Sequence, residues 1–166
     1  MAIYFANSEL GDAVGETWRI TSSFTGDADP MVNWERADQT GGGSNYNLLT
    51  ESSGIFTFAQ TGWYHCTWWM YISGNLDSHW NEMSLQLSHN NGSNWTMYQY
   101  AQGYLVSGQQ RYTTNCTAHT FSIPSISGDS TRKIKFTANQ LNDNVSTAGS
   151  SSQSHTGFTI IKIAEQ

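Results

Sequence analysis

The sequence predicts an all-β domain built from two antiparallel sheets. Apolar and polar residues alternate in short segments that are separated by turn residues, which is the pattern of a sandwich or barrel. The chain has 166 residues, enough for one domain with a substantial core. Only 12% of the residues are charged, about half of the usual share. Serine, threonine, asparagine and glutamine occupy most of the polar positions, and no amphipathic segment of helical length interrupts the pattern.

The alternation predicts a series of strands, each bounded by turn-forming residues. The dipeptide Asn91-Gly92 tolerates the positive φ angles of a tight hairpin, so the segment around it should join two antiparallel neighbours. Residues 38–47 and 142–156 are polar and are predicted to form long surface loops. The predicted strands are Thr17–Phe24, Met31–Glu35, Ile55–Ala59, Trp63–Ile72, Met83–Ser88, Trp95–Gln102, Arg111–Ile123, Lys133–Asn139 and Gly157–Ile163.

The predicted strand Trp63–Ile72 has bulky side chains on both of its faces. Successive side chains of a strand point to opposite faces, which divides this strand into two rows. The rows are Tyr64, Cys66, Trp68, Met70 and Ile72 on one face and Trp63, His65, Thr67, Trp69 and Tyr71 on the other. A strand of a two-layer sandwich needs only one apolar face. The second row therefore predicts a cover from elsewhere, most simply a partner subunit.

Two motifs rich in glycine and aromatic residues lie far apart in the sequence. The pattern G-x-F-x-F-x-x-x-G-x-Y is formed by Gly54, Phe56, Phe58, Gly62 and Tyr64. The terminal pattern G-F-x-I-x-x-I is formed by Gly157, Phe158, Ile160 and Ile163. With these motifs and the order of its short strands, the segment 50–166 resembles the jelly-roll domains of complement C1q and tumour necrosis factor.

The resemblance implies a ten-stranded jelly roll of two sheets that assembles as a homotrimer. It implies that the strand after the second glycine lies beside the final strand, with its second row toward neighbouring subunits. The predicted division of the chain is an N-terminal arm at residues 1–16 and a single jelly-roll domain at residues 17–166. The predicted trimer interface consists of Trp63, His65, Trp69, Tyr71, Thr159, Ile161 and Ile163.

The sequence has no pattern of catalytic residues, so we predict a protein that is not an enzyme and that uses no cofactor or metal ion. The five histidines are spread over different segments, without the H-x-H or H-x-x-x-H spacing of a zinc site. Asp27, Asp29 and Asn142–Asn144 could supply oxygen ligands to calcium, although turn formation is the favoured interpretation. No serine lies in a nucleophile elbow, and no carboxylate pair indicates a glycosidase.

The two cysteines, Cys66 and Cys116, lie on strands that the resemblance places next to each other. The predicted state is two buried free thiols that pack as small apolar side chains. A cross-strand disulfide is the alternative.

Charge and hydropathy exclude two classes of partner. The net charge is −6, and the short group Arg132, Lys133 and Lys135 is the main cluster of cations, whereas non-specific nucleic-acid binding requires many cations on one face. No stretch approaches the roughly 18 apolar residues of a membrane span, and the first residues lack the pattern of a signal peptide. We therefore expect neither nucleic-acid binding nor membrane insertion.

Composition and resemblance together predict a bacteriophage virion protein. The chain is short, is rich in glycine, asparagine, serine and aromatic residues, and resembles a trimeric jelly roll. We expect a decoration or cement trimer that stabilises the capsid, is assembled in the host cytoplasm and binds the major capsid protein or another virion protein. The arm combines an apolar start with glycines and acidic residues, and its residues Ile3, Tyr4 and Phe5 are the predicted capsid anchor.

Two alternatives for the function stay open. One is the receptor- or carbohydrate-binding head of a phage fibre or spike, which would bind a host surface glycan. Exposed tryptophan and tyrosine rings would then stack on pyranose rings, and the candidates are Trp80, Trp95, Tyr98 and Tyr104. The other alternative is a secreted C1q-like binding module.

Overall fold

The computed structural model describes residues 14–37, 47–74, 78–105, 111–139, 141 and 144–166, and twelve strands lie in these ranges. A single 3-10 turn, Gly128–Ser130, occurs in the same ranges, and no helix within them has the length and apolar character to cross a membrane. The strands are β1 (Val14–Ile20), β2 (Ser22–Thr25), β3 (Trp34–Arg36), β4 (Leu49–Ser52), β5 (Ile55–Phe58), β6 (Gly62–Gly74), β7 (Ser78–Ser88), β8 (Thr96–Leu105), β9 (Arg111–Ile123), β10 (Lys133–Asn139), β11 (Ser146–Ser150) and β12 (Gly157–Ala164).

The strands form two antiparallel sheets, which confirms the predicted fold class. Sheet A has the order β9-β6-β12-β1-β3, with β11 beside the end of β6 and β2 beside β11. Sheet B has the order β4-β5-β10-β7-β8. β6 and β12 lie side by side, with Thr67 opposite Thr159, as the resemblance implied.

The core lies between the sheets and is dominated by aromatic rings. In β6, the row from Tyr64 to Ile72 is fully buried and the other row is not, so the predicted alternation is confirmed. Phe158 of β12 lies at the centre of an aromatic cluster that joins the two sheets. Its ring centroid is 6.4, 5.4, 4.9 and 4.6 Å from those of Trp18, Trp34, Phe56 and Phe136.

The structure corrects the strand prediction at several places. The predicted strand Thr17–Phe24 is divided at Thr21 into β1 and β2, and β1 begins earlier, at Val14. The predicted strand Met31–Glu35 is the shorter β3, and β4 was not predicted. The hairpin at Asn91-Gly92 is confirmed, since both residues have positive φ angles of 56° and 91° and β7 pairs antiparallel with β8. Most of the loop predicted at residues 38–47 lies outside the described residues.

The prediction of a polar loop over residues 142–156 is wrong for the part that forms β11. Thr147 is fully buried, and its Oγ1 lies 3.8 Å from the Met70 sulfur. Gly149 packs so closely on β2 that an added Cβ would lie 2.5 Å from the Ser22 backbone. Small residues therefore allow β11 to pair with both β2 and β6 despite its polar sequence.

Candidate functional site

The outward face of sheet A brings the predicted interface residues together. In β6, His65 lies opposite Thr120 of β9 and Ile161 of β12, and Thr159 lies opposite both Thr67 of β6 and Thr17 of β1. Ile163 precedes Ala164, the β12 residue that pairs with Trp63 after a register shift. The residues that this pairing places on one face are Trp63, His65, Trp69, Tyr71, Thr159 and Ile161, and Ile163 lies in the bulge next to the Trp63 pair.

One end of this face is covered in part by the chain itself. The Trp69 indole Nε1 donates a hydrogen bond to the Ser154 carbonyl oxygen at 3.1 Å. The Tyr71 ring centroid lies 5.6 Å from that of His155, and the Tyr71 amide donates to Thr156 Oγ1 at 3.1 Å. Residues 154–156 thus supply some of the cover for which the sequence suggested a partner subunit.

The other end of the face is open. The side chains of Trp63 and Ile163 are 44% and 48% exposed. His65 and Ile161 lie beside them and are half-buried, and His65 Nδ1 is hydrogen-bonded to Thr120 Oγ1 at 2.9 Å. We call Trp63, His65, Ile161 and Ile163 the open patch. The open patch is apolar except for the His65 imidazole. The outward face of a sheet in a two-layer sandwich usually contacts water and is polar, so an apolar patch there is unusual.

A second apolar surface lies along β8, the last strand of sheet B. A register shift between Leu85 and Gln86 leaves Tyr98 in a bulge. The Tyr98 hydroxyl is 2.7 Å from His89 Nε2, and its ring centroid is 5.5 Å from that of His119. We call Met97, Tyr98 and Tyr100, which are all exposed, the β8 edge.

Sequence reasoning missed two residues of the β8 edge, Met97 and Tyr100. A signal for them existed, because the run from Met97 to Tyr100 places apolar side chains at both odd and even positions, as β6 does. Only the bulge explains how three of these side chains reach solvent together.

The four glycan candidates do not form one site. Trp80 and Tyr104 line a shallow, open depression of about 380 Å³ together with Gln102 and Gly103. The Trp95 ring instead lies under the Lys135 ammonium group, 4.9 Å from its centroid, and Tyr98 belongs to the β8 edge. Of the four candidates, therefore, only Trp80 and Tyr104 lie together at one place on the surface.

The cysteines lie on adjacent strands but on opposite faces of sheet A. Cys66 lies opposite His119, and Cys116 lies opposite Trp69. Both thiols are free, as predicted, but Cys116 is exposed, so the prediction that both are buried is wrong. A disulfide would require Cβ atoms that point toward each other. Desolvation raises the pKa of the buried Cys66 thiol, which makes the thiolate scarce in the folded protein.

The aspartates considered as calcium ligands make structural contacts. Asp27 Oδ1 accepts a hydrogen bond from the Leu141 amide at 2.8 Å, and Asp29 pairs with the Lys135 ammonium group. Asn142 and Asp143 lie outside the described residues. In the part of the chain that the structure describes, no group of three or more His, Cys, Asp or Glu side chains is arranged to hold a metal ion. The arm residues Ile3, Tyr4 and Phe5 also lie outside the described residues.

Comparison with known proteins identifies the fold. No protein-family model matches the chain, and no curated protein matches it. Murine APRIL, solved at pH 5.0, is similar with a TM-score of 0.64 and 12% identity over 91% of this chain and 99% of that chain. The Eiger TNF of S. frugiperda is similar with a TM-score of 0.64 and 12% identity over 93% of this chain and 94% of that chain. The chain therefore has the jelly-roll fold of the tumour-necrosis-factor type.

Proposed function

We propose that this chain is a non-enzymatic, homotrimeric binding module. The observation that carries the proposal is the presence of two different apolar surfaces, the open patch on sheet A and the β8 edge on sheet B. Clusters of large, exposed apolar side chains often mark the surfaces through which proteins bind each other. Every copy of the chain carries both surfaces. A second copy can therefore cover the open patch with its own β8 edge.

The two surfaces overlap in height along the strands, at the level of His119 and Thr120 of β9. Tyr98 of the β8 edge packs against His119 of β9, and His65 of the open patch bonds to the next residue, Thr120. A rotation axis parallel to the strands preserves height. The β8 edge of one copy can therefore contact the open patch of the next, and the series can close into a ring.

A two-fold dimer fits these surfaces less well than a ring. A two-fold contact places the same surface of both copies together, so a dimer through the open patch would leave the β8 edge exposed. In a ring, each copy uses both surfaces. Three copies is the number that the resemblance to complement C1q and tumour necrosis factor implies.

The mass in solution tests the proposal directly. We expect multi-angle light scattering to give three times the chain mass of 18.5 kDa across micromolar concentrations. A stable monomer at those concentrations would contradict the proposal, because both apolar surfaces would then remain in water.

Cys116 offers an independent reporter of assembly. Its strand β9 lies between the open patch and the β8 edge, so a closed ring encloses its outward face. We expect a thiol reagent to label neither cysteine rapidly in the assembled protein, Cys116 alone in a dissociated variant, and both cysteines after unfolding without reductant. Rapid labelling of Cys116 in a protein that scatters as a trimer would place the contact elsewhere.

Decoration of a bacteriophage capsid is the finer role that we propose within this class. It is supported by the composition of the chain and by the apolar start of the arm, which lies outside the described residues. Three arms on one trimer would provide three weak anchors on a symmetric shell, and multivalency would make the attachment durable.

Deletion of residues 2–8 tests the anchoring role. We expect the shortened chain to keep its oligomeric mass and melting temperature but to lose its binding to capsids that have been stripped of the protein. Binding at unchanged occupancy would show that the arm is not the anchor. Adsorption of both forms to host cells, without capsid binding, would favour the fibre-head alternative.

A further inference from the structure

We propose that Trp80 and Tyr104 form a binding site for a neutral oligosaccharide on the outer face of sheet B. The site goes beyond the proposed trimer and does not depend on it, because none of its residues belongs to the open patch or the β8 edge. It is carried by an exposed aromatic pair, a shallow depression between them and a row of amide and carboxylate groups that continues from the floor of the depression.

The aromatic pair supplies the apolar part of the site. The side chains of Trp80 and Tyr104 are 58% and 52% exposed, and they flank Gln102 and Gly103 around a shallow, open depression of about 380 Å³. A ligand ring would lie against this surface rather than inside an enclosed pocket. Aromatic side chains combine a large apolar face with a polar tip, which suits the C–H faces and hydroxyl rim of a sugar ring.

The polar row lies next to the aromatic pair. Gln102 Nε2 donates to Glu82 Oε2 at 3.4 Å, and Asn139 Nδ2 donates to Glu82 Oε1 at 3.2 Å. Asn139 Nδ2 also lies 2.9 Å from Thr137 Oγ1. These contacts orient the Glu82 carboxylate, while the amide and carboxylate groups have hydrogen-bonding capacity beyond the bonds they make here.

The chemistry of this row selects the class of ligand. Glu82 is the charged residue of the row, and a carboxylate disfavours phosphate, sulfate and sialic-acid groups by like-charge repulsion. Aromatic rings and a carboxylate would also attract an organic cation. An ammonium group only donates hydrogen bonds, however, whereas the Gln102 side-chain amide has a second N–H beyond the one that it donates to Glu82, and this N–H needs an acceptor. A hydroxyl group donates and accepts, so a neutral sugar matches the whole row.

The floor of the site is fixed by a contact between the two sheets. A Cβ atom on Gly103 would lie 1.7 Å from Asn115 Oδ1, so only glycine leaves room for this buried side chain of β9. Asn115 Nδ2 donates to the Asn81 carbonyl oxygen at 3.1 Å. Asn81 lies between Trp80 and Glu82 in the chain. The aromatic and polar parts of the site are therefore positioned before a ligand arrives, which reduces the entropy lost on binding.

An array of neutral and charged oligosaccharides, followed by titration of the best neutral binder, tests the proposal. We expect binding of neutral glycans and a loss of about tenfold or more in affinity for Trp80→Ala and for Tyr104→Ala, as for truncated aromatic anchors elsewhere. Gln102→Leu should weaken binding comparably while retaining the aromatic pair. Val32→Ala removes an apolar side chain of comparable exposure, 45%, that lies outside this site and outside both contact surfaces, and it should leave the affinity unchanged.

The outcomes that overturn the proposal are distinct. An array on which no neutral glycan binds, or unchanged affinity in both aromatic variants, would contradict it. If the site bound choline or trimethyl-lysine but no neutral glycan, its ligand would be an organic cation and the proposed sugar would be wrong. Light scattering of each variant separates this site from the trimer, since all of the variants should keep the mass of the unmodified protein.

Discussion

Trp63→Glu is expected to dissociate the proposed trimer into folded monomers. Trp63 lies at the start of β6 in the open patch, where nearly half of its side chain is exposed in the single chain. A glutamate there would be hydrated in the monomer but desolvated beside the β8 edge of a neighbour. A buried charge without a partner costs several kcal/mol, and the proposed ring would contain this contact three times. Light scattering should therefore give the mass of one chain.

Trp80→Glu is the matched control for this variant. It makes the same substitution at an exposed tryptophan, but on sheet B and outside both contact surfaces. We expect it to keep the mass and melting temperature of the unmodified protein. If Trp63→Glu kept the trimer mass, or if both variants dissociated, the assignment of the open patch would be wrong.

A mixing experiment tests whether the contact joins two different surfaces. Tyr100→Glu alters the β8 edge and should also give monomers. A chain with Trp63→Glu retains its β8 edge, and a chain with Tyr100→Glu retains its open patch. An equal mixture should therefore form dimers that stop at two chains, since only one intact contact is available. A mixture that stays monomeric would contradict the head-to-tail arrangement.

Phe158→Ala is expected to have the largest effect on the stability of the fold. The Phe158 side chain is fully buried, and its ring contacts four aromatic rings from both sheets. Loss of a buried phenylalanine costs about 3–5 kcal/mol, because a cavity remains among side chains that cannot fully relax. The measurement is urea unfolding at a fixed chain concentration, since assembly contributes to the apparent stability.

Two further variants keep the Phe158 prediction testable. Phe158→Leu retains most of the volume and should lose less stability than Phe158→Ala, which allows measurement if the alanine variant does not fold. Val32→Ala removes an exposed apolar side chain that lies outside both contact surfaces, and it should change the unfolding free energy by within about 0.5 kcal/mol. A loss from Phe158→Ala as small as that from Val32→Ala would contradict a central role for this cluster.

The strands that could be predicted from the sequence are those whose side chains alternate without interruption. The pattern of β6 identified its buried row from Tyr64 to Ile72, because the period of a strand is local information. The bounds of β10 were also predicted correctly, and Asn91-Gly92 indicated the hairpin because positive φ angles are a property of those two residues. The two motifs that begin at Gly54 and Gly157 indicated the jelly-roll fold.

The features that could not be predicted depend on contacts between distant segments. β11 consists of small polar residues, and it becomes a strand because Gly149 fits against Ser22 and Thr147 faces the core. Trp95 is separated from the other glycan candidates by its contact with Lys135. Cys116 is exposed because its position in β9 faces outward, opposite Trp69. None of these partners is close in sequence.

The bulge at Tyr98 has a consequence for how molecules of this protein can meet. A straight strand at the edge of a sheet presents a continuous row of backbone N–H and C=O groups, to which a strand of another molecule can add indefinitely. In β8 the extra residue between Met97 and Gln99 breaks that row near its middle. An incoming strand cannot keep its register across the break, so fibre growth by sheet extension is discouraged along this edge. The bulge thus protects the aromatic edge from amyloid-type pairing while the chain is still a monomer.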